Sequence, residues 1–272
     1  MPEIERVQPA ALPSTGGGFT HVVRIGPWVF ISGQTAGGMD GAIVGGDDAL
    51  AQGRHVFRRL GLAMESVGGT FADIVKTTTF ITNAGDFEKV RQARAEAINS
   101  TPPTSASITI SHLARPGIGP VRELLLEVEA VGYLRTRAVE EDTVAEVQHL
   151  QPEGMSPNGN RYTHVVKVGP WVHIAGQTAT DESGNVVGVG DPAAQVDQVF
   201  KNLTVAIESV GGKLTDIFKT TVYVVGEQNS EPIRIARAGR FGDKPPASTL
   251  LIIAGLARPE FMLEIEATGY VE

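Results

Sequence analysis

The sequence predicts an α+β protein made of two tandem domains, each a β-sheet with two helices packed on one face. Two observations carry this. The stretch THVVRIGPWVFISGQTA, Thr20 to Ala36, returns as THVVKVGPWVHIAGQTA, Thr163 to Ala179, and one offset of 143 residues relates the copies without a gap from Phe19/Tyr162 to Pro116/Pro259. Within each copy, strand-like segments stand at both ends and helix-like segments lie between them, the order expected of a layered α+β unit. A period of this length is far above the roughly 20–50 residues of a solenoid repeat, so it marks a duplicated domain. From Phe19 to Leu60 about half the positions are identical to their counterparts.

In chain order, residues 1–18 hold three prolines and the Gly16-Gly17-Gly18 run and read as a loose lead-in. HVVRIG and WVFISGQ, joined by Gly26-Pro27, are rich in β-branched and aromatic residues and read as a hairpin. Asp47-Asp48 opens a helix, its charge suited to the positive helix N-terminus. Val56, Leu60, Met64 and Val67 give that helix one apolar face, repeated by Val199, Leu203, Ile207 and Val210. Gly68-Gly69 and Gly211-Gly212 stop the two helices. DIVKTTTFIT and DIFKTTVYVV are strands. A second helix is expected over about Asp86 to Asn99 and again over about Glu231 to Phe241, each followed by a double proline. SASITIS with LLLEVEAVGYL, and STLLIIA with MLEIEATGYV, complete the sheets. After LARP the first copy carries fourteen residues where the second has eight, a six-residue extension at a loop. The expected division is a first domain over 1–134, a Glu-, Gln-, Pro- and Asn-rich linker over 135–161, and a second domain over 162–272.

The bulk numbers bound the function. At 272 residues, two domains of ordinary size fit, each able to bury a core. The chain has no cysteine, which excludes disulfides, thiolate metal sites and cysteine nucleophiles. No His/Asp/Glu grouping has metal-ligand spacing and no phosphate loop occurs, so neither metal nor cofactor is expected. A net charge of −8 argues against nucleic acid as a partner. No apolar run reaches the roughly 18 residues of a membrane span. MPEIERVQPA lacks the apolar core of a signal peptide, so a cytoplasmic location is expected.

Four motifs, each present twice in the same order, carry a family resemblance: GPWVFISGQTA with GPWVHIAGQTA, DIVKTT with DIFKTT, the proline pairs, and LEVEAVGY with LEIEATGY. In these the chain resembles a tandem form of the RidA/YjgF family of imine and enamine deaminases. The resemblance covers nearly all of both copies. It implies a chorismate-mutase-like fold in each copy, a small-molecule substrate, and a homo-oligomer, first pictured as a trimer of two-domain chains with clefts between neighbours.

Carried over residue by residue, the resemblance makes Glu127 and Glu264 the catalytic glutamates. Alternation in Leu126-Glu127-Val128-Glu129 puts both glutamates of each such segment on one face. One carboxyl can position water and pass a proton to a departing amine when burial raises its pKa. The family's cleft tyrosine falls on Tyr162 and on Phe19, and its cleft serine on Ser32 and on Ala175. A cleft-facing asparagine position falls on Arg91 and Arg234. The arginine that grips the substrate carboxylate after the proline pair is replaced by Thr104 and Ala247, so the expected substrate is no simple amino-acid imine. The residues themselves add Arg115 and Arg258 of the LARP loops as anion-binding candidates. His21 and His164, each beside a Val-Val pair, read as packing residues, and His112 and His173 have no histidine counterpart. Hydrolytic deamination is the first reading of function. A binding or scaffold protein that keeps the cleft, or a chorismatase-like reaction in it, are the alternatives.

Overall fold

The computed structural model describes residues 3–98, 101–115, 119–121, 123–135 and 145–272, and the side chains of residues 114–122 lie outside the described set. Two six-stranded sheets, each with helices packed on it, bear out the α+β expectation. The chain divides into two compact units: Met1–Pro102 with Ile110–Glu146, and Pro103–Thr109 with Val147–Glu272.

The first copy runs β1 (Ile4–Val7), β2 (Val22–Ile25), β3 (Trp28–Thr35), α1 (Ala49–Glu65), β4 (Ile74–Ile81), α2 (Phe87–Ala97), β5 (Thr104–Thr109), β6 (Leu113–Arg115), β7 (Gly119–Val121) and β8 (Leu126–Tyr133). Its sheet order is β1-β2-β3-β8-β4-β5. The second copy runs β9 (Val147–Leu150), β10 (Val165–Val168), β11 (Trp171–Gln177), α3 (Pro192–Glu208), β12 (Ile217–Val225), α4 (Ser230–Arg237), β13 (Ala247–Ile253) and β14 (Leu263–Tyr270). Its order, β13-β12-β14-β11-β10-β9, is the same topology read from the other edge.

The helices form for the reasons their sequences give. Asp48 caps α1 by accepting from the Leu50 N–H, and Asp191 caps α3 by accepting from Ala193 and Ala194, with Pro192 at the first turn. Val56, Leu60 and Met64 are fully buried in the first core, as Val199, Leu203 and Ile207 are in the second. Gly68 and Gly211 end the helices at φ of 81° and 82°, a left-handed turn that a side chain would strain.

Four stretches differ from the sequence reading. Ile4–Val7, inside the supposed loose lead-in, pairs antiparallel with β2, and Val147–Leu150, inside the supposed linker, pairs with β10. Each covers an otherwise bare sheet edge and satisfies its backbone groups, a benefit invisible in four residues of mixed polarity. The six-residue extension contributes to a small hairpin, β6 with β7, rather than a plain loop. Finally, α4 ends at Arg237, short of the expected Phe241. Among the described residues no helix is long and apolar enough to cross a membrane.

Candidate active site around a glutamate laid over a strand glycine

In each copy the last strand lies between its two neighbours, so its outward residues stand at the centre of the face away from the helices. Leu126 and Val128 point into the first core, Leu263 and Ile265 into the second. By alternation Glu127, Glu129, Glu264 and Glu266 occupy the opposite face.

A bulge shapes the neighbouring strand at this level. β3 pairs Ile31 with Ala130 and Gln34 with Val128, leaving Ser32 and Gly33 against one residue of β8. The same shift separates Ile174 from Gln177 in β11. Bulges of this kind re-aim side chains beside active sites. Here the bulge opens a place above a glycine Cα, and the glutamate fills it. A methyl group on Gly33 would overlap the Glu127 carboxyl, and one on Gly176 would overlap that of Glu264. The glycine in SGQ and AGQ therefore marks a close approach, the physical reason a strand tolerates it.

The glutamine after that glycine is structural. Gln34 is fully buried; its Nε2 donates to the Ser32 carbonyl at 2.8 Å and to His21 Nδ1 at 3.2 Å, while its Oε1 accepts from Arg59 Nε at 3.1 Å. Arg59 Nη1 donates to the carbonyls of Thr35 and Gly37, both at 2.8 Å. In the second copy Asn202 stands at the position of Arg59 and donates to the carbonyls of Thr178 and Thr180. His21 Nε2 donates to the Pro13 carbonyl at 2.8 Å, which leaves Nδ1 as the acceptor and the ring neutral. Burial lowers the pKa of both His21 and His164, and His164 makes the matching bond to the Ser156 carbonyl at 2.9 Å. Both histidines hold the chain leading into the hairpin, the packing role read from the sequence.

The two glutamates differ sharply in surroundings. Glu264 is 5% exposed and its neighbour Glu266 is 7% exposed. Burial, reinforced by the nearby Glu266 charge, pushes the Glu264 carboxyl up to about 8 against the opposing N–H of Ser107. Tyr223 donates its hydroxyl to Glu266 Oε1 at 3.3 Å. Ser107 belongs to the 103–109 segment of the second compact unit. That segment packs against β11 and exchanges backbone bonds with Ala254 and Gly255 at Thr109. In the first unit burial also raises Glu127, with Glu129 adding to the shift, yet Glu129 itself is exposed. There the face is an open hollow of about 280 Å³ lined by Phe30, Ser32, Lys76, Thr78 and Glu129 among others.

The remaining candidates fall as follows. Ser32 lines that hollow and donates its hydroxyl to the Thr20 carbonyl at 2.7 Å. Phe19 and Tyr162 each stack edge-on against the following histidine, at 5.3 and 5.1 Å between ring centres. Arg91 pairs with Glu88 at 2.8 Å and Arg234 with Glu231 at 2.6 Å, each with an acid one turn earlier on its own helix. Arg258 donates to the Gly184 carbonyl and lies over the Phe261 ring. The side chain of Arg115 lies outside the described residues. Sequence reasoning did not single out Ser107, Glu266, Tyr223, Gly33 or Gly176. The glycines left one signal, since a glycine repeated inside both copies of a strand points to close approach.

The sequence model of the family described as endoribonuclease L-PSP matches residues 9–133 and, a second time, residues 155–271. The chain belongs to this family. It is a tandem RidA/YjgF member, with one family domain per copy. A RutC family protein of Pyrococcus horikoshii is 31% identical over 111 residues, spanning 41% of this chain and 87% of that protein. The 3-aminoacrylate deaminase RutC of Acinetobacter baylyi is 28% identical over 122 residues, 45% of this chain and 96% of that one. Both relatives have the length of a single copy. A chorismatase crystal structure matches 93% of this chain and 77% of its own at 17% identity and a TM-score of 0.63. That likeness is one of fold, and it extends over both RidA-like copies together.

Proposed function

We propose that the chain hydrolyses the C=N bond of a small imine or enamine, with Glu264 as the proton-transfer group. The observation that carries this is the Glu264 carboxyl, buried, laid over Gly176 and raised to about 8. Such a group is mostly protonated at neutral pH, so it can give a proton to the imine nitrogen, or to the enamine carbon to form the iminium. The carboxylate left behind then takes a proton from the water that attacks the iminium carbon. Returning that proton to the nitrogen of the tetrahedral adduct makes ammonia the leaving group, and as the C–N bond breaks the adduct's hydroxyl gives its proton to the Glu264 carboxylate, which leaves the carbonyl product and restores the acid. Overall, one imine and one water give one carbonyl compound and one ammonia, with no cofactor in the balance. The deaminase activity in the name of the Acinetobacter baylyi relative supports this class of reaction. With Thr104 and Ala247 after the proline pairs, the substrate differs from a simple amino-acid imine.

A comparison of the copies supports a proposal for the assembly. In the second unit Val166, His173 and Glu266 are buried on the face that the 103–109 segment packs against. Their counterparts Val23, Phe30 and Glu129 are not, and Phe30 is 43% exposed. Strand β13, the counterpart of β5, has Leu251 at 43% and Ile252 at 50% exposure. A β13 strand from a second chain placed over the first unit would cover both surfaces and give Glu127 the environment of Glu264. A homo-oligomer, proposed as a trimer of two-domain chains, satisfies this.

The test is ammonia release from imines made in place by amino-acid oxidases and from 3-aminoacrylate-type enamines. Acceleration lost in Glu264→Gln supports the assignment. Acceleration retained in that variant assigns the chemistry elsewhere, and none with either substrate class removes the hydrolase reading.

A further inference from the structure

The two copies differ in what stands beside the proposed proton donor. Tyr223 of β12 lies directly across from Glu264 in the antiparallel register, and Thr221 lies across from Glu266. Opposed residues on neighbouring strands share a face, so Tyr223, Glu264 and Glu266 lie together on the side of the sheet away from the helices. From there the Tyr223 hydroxyl crosses the diagonal and donates to Glu266 Oε1 at 3.3 Å, a reach that suits an aromatic side chain. All three side chains are buried. In the first copy the residue across from Glu127 is Phe80, which supplies the ring without the hydroxyl, and Glu129 is exposed. The hydroxyl and the burial of the second carboxyl therefore occur together in one copy and are both missing from the other.

Two residues apart on one strand, Glu264 and Glu266 are separated by roughly 7 Å along the backbone. Burial removes the water that screens one carboxyl from the other, so a charge on Glu266 acts strongly on Glu264. After burial itself, that charge is the next influence holding the proton on Glu264, and the Ser107 N–H opposes both. The other ionisable side chains that alternation and register place on this face are His149 of β9, His173 of β11, Lys219 of β12 and Tyr270 of β14. Neither β13 nor the 103–109 segment brings an ionisable side chain. A carboxylate free to rotate turns toward water, where its field is screened. The bond from Tyr223 holds Glu266 in place, and the hydroxyl is the part of that residue that Phe80 lacks.

We propose that Tyr223 and Glu266 are positioning residues for Glu264: the tyrosine fixes the Glu266 carboxylate beside it, and that fixed negative charge keeps Glu264 in its proton-bearing form. The inference rests on the reading of Glu264 as the proton-transfer group and adds what sets its protonation. The test is carbon NMR of protein labelled at the glutamate carboxyls, titrated from pH 5 to 10 in the wild type, Glu266→Gln and Tyr223→Phe. The Glu264 signal is assigned by its absence from Glu264→Gln. Its midpoint should fall by about one pH unit or more in Glu266→Gln, and by a smaller amount in the same direction in Tyr223→Phe. The midpoint of kcat/KM for ammonia release should fall with it. If Glu266→Gln fails to fold, Tyr223→Phe carries the test, since phenylalanine keeps the ring and removes the hydroxyl alone. A purely structural pair predicts lower stability with the Glu264 midpoint unmoved. An unmoved or raised midpoint in the folded variants therefore overturns the proposal. The titration is read without turnover, so a lowered midpoint in a protein that releases no ammonia supports the pairing while removing the hydrolase reading.

Discussion

Glu264→Gln removes a carboxyl whose folded environment strongly resists ionisation, and the consequence is a change in how stability depends on pH. The carboxyl stands at about 8 in the folded protein against an ordinary 4.5. The unfolded chain therefore loses this proton near 4.5 while the folded chain keeps it until about 8. Between those values the folded state binds more protons, so raising the pH destabilises it, and above about 8 the loss is complete. At about 1.4 kcal/mol per pH unit, the ceiling on this loss is roughly 5 kcal/mol. Glutamine has nearly the same shape and no charge, so the variant escapes the penalty. Urea unfolding of both proteins from pH 5 to 9 should show their stability difference moving in favour of the variant by roughly 2–5 kcal/mol across that range. Parallel stability curves would refute the claim that Glu264 is buried as the neutral acid.

Three further outcomes follow from the same geometry. Glycine to alanine inside a strand ordinarily gains a little stability, but Gly176→Ala must displace the Glu264 carboxyl; we expect a loss of about 1–3 kcal/mol in thermal unfolding together with a large fall in ammonia release. Arg59→Met strips the Thr35 and Gly37 carbonyls and Gln34 of a buried donor, and should cost about 2–4 kcal/mol by denaturant titration, whereas a loss under about 1 kcal/mol would show that water replaces it. Leu251→Asp with Ile252→Asp charges the exposed part of β13, and sedimentation should show smaller species at unchanged helix content; an unaltered mass would place the assembly contact elsewhere.

Much of the fold was legible because duplication printed it twice. The capping aspartates, the apolar faces of α1 and α3 and the terminating glycines follow local rules that a single sequence displays. Strands β1 and β9 were hidden because an edge strand of four residues draws its stability from the neighbour it pairs with and not from its own pattern. The site was legible only as far as residue type. Glu127 and Glu264 sit in nearly the same words, LEVEAVGY and LEIEATGY, yet one is half-buried and the other sealed. The difference is made by residues 103–109, some 155 positions before Glu264, which no local reading connects to it. Gly176 could be read as a close approach, but not as an approach by that particular carboxyl. Arg91 and Arg234 stood out because they recur, and their partners Glu88 and Glu231, three residues earlier, were there to be read as helix-surface pairs.

The central claim is that Glu264 delivers a proton during C=N hydrolysis, and the pH dependence of ammonia release tests it most directly. With the substrate that the wild-type protein accelerates best, kcat/KM between pH 6 and 10 should be highest at low pH and fall through a midpoint at about 8, where the Glu264 carboxyl loses its proton. Glu264→Gln should lose both the acceleration and that midpoint. A wild-type rate that stays level or climbs through the same range would contradict the account, because the catalytic group would then act as a base already ionised at neutral pH.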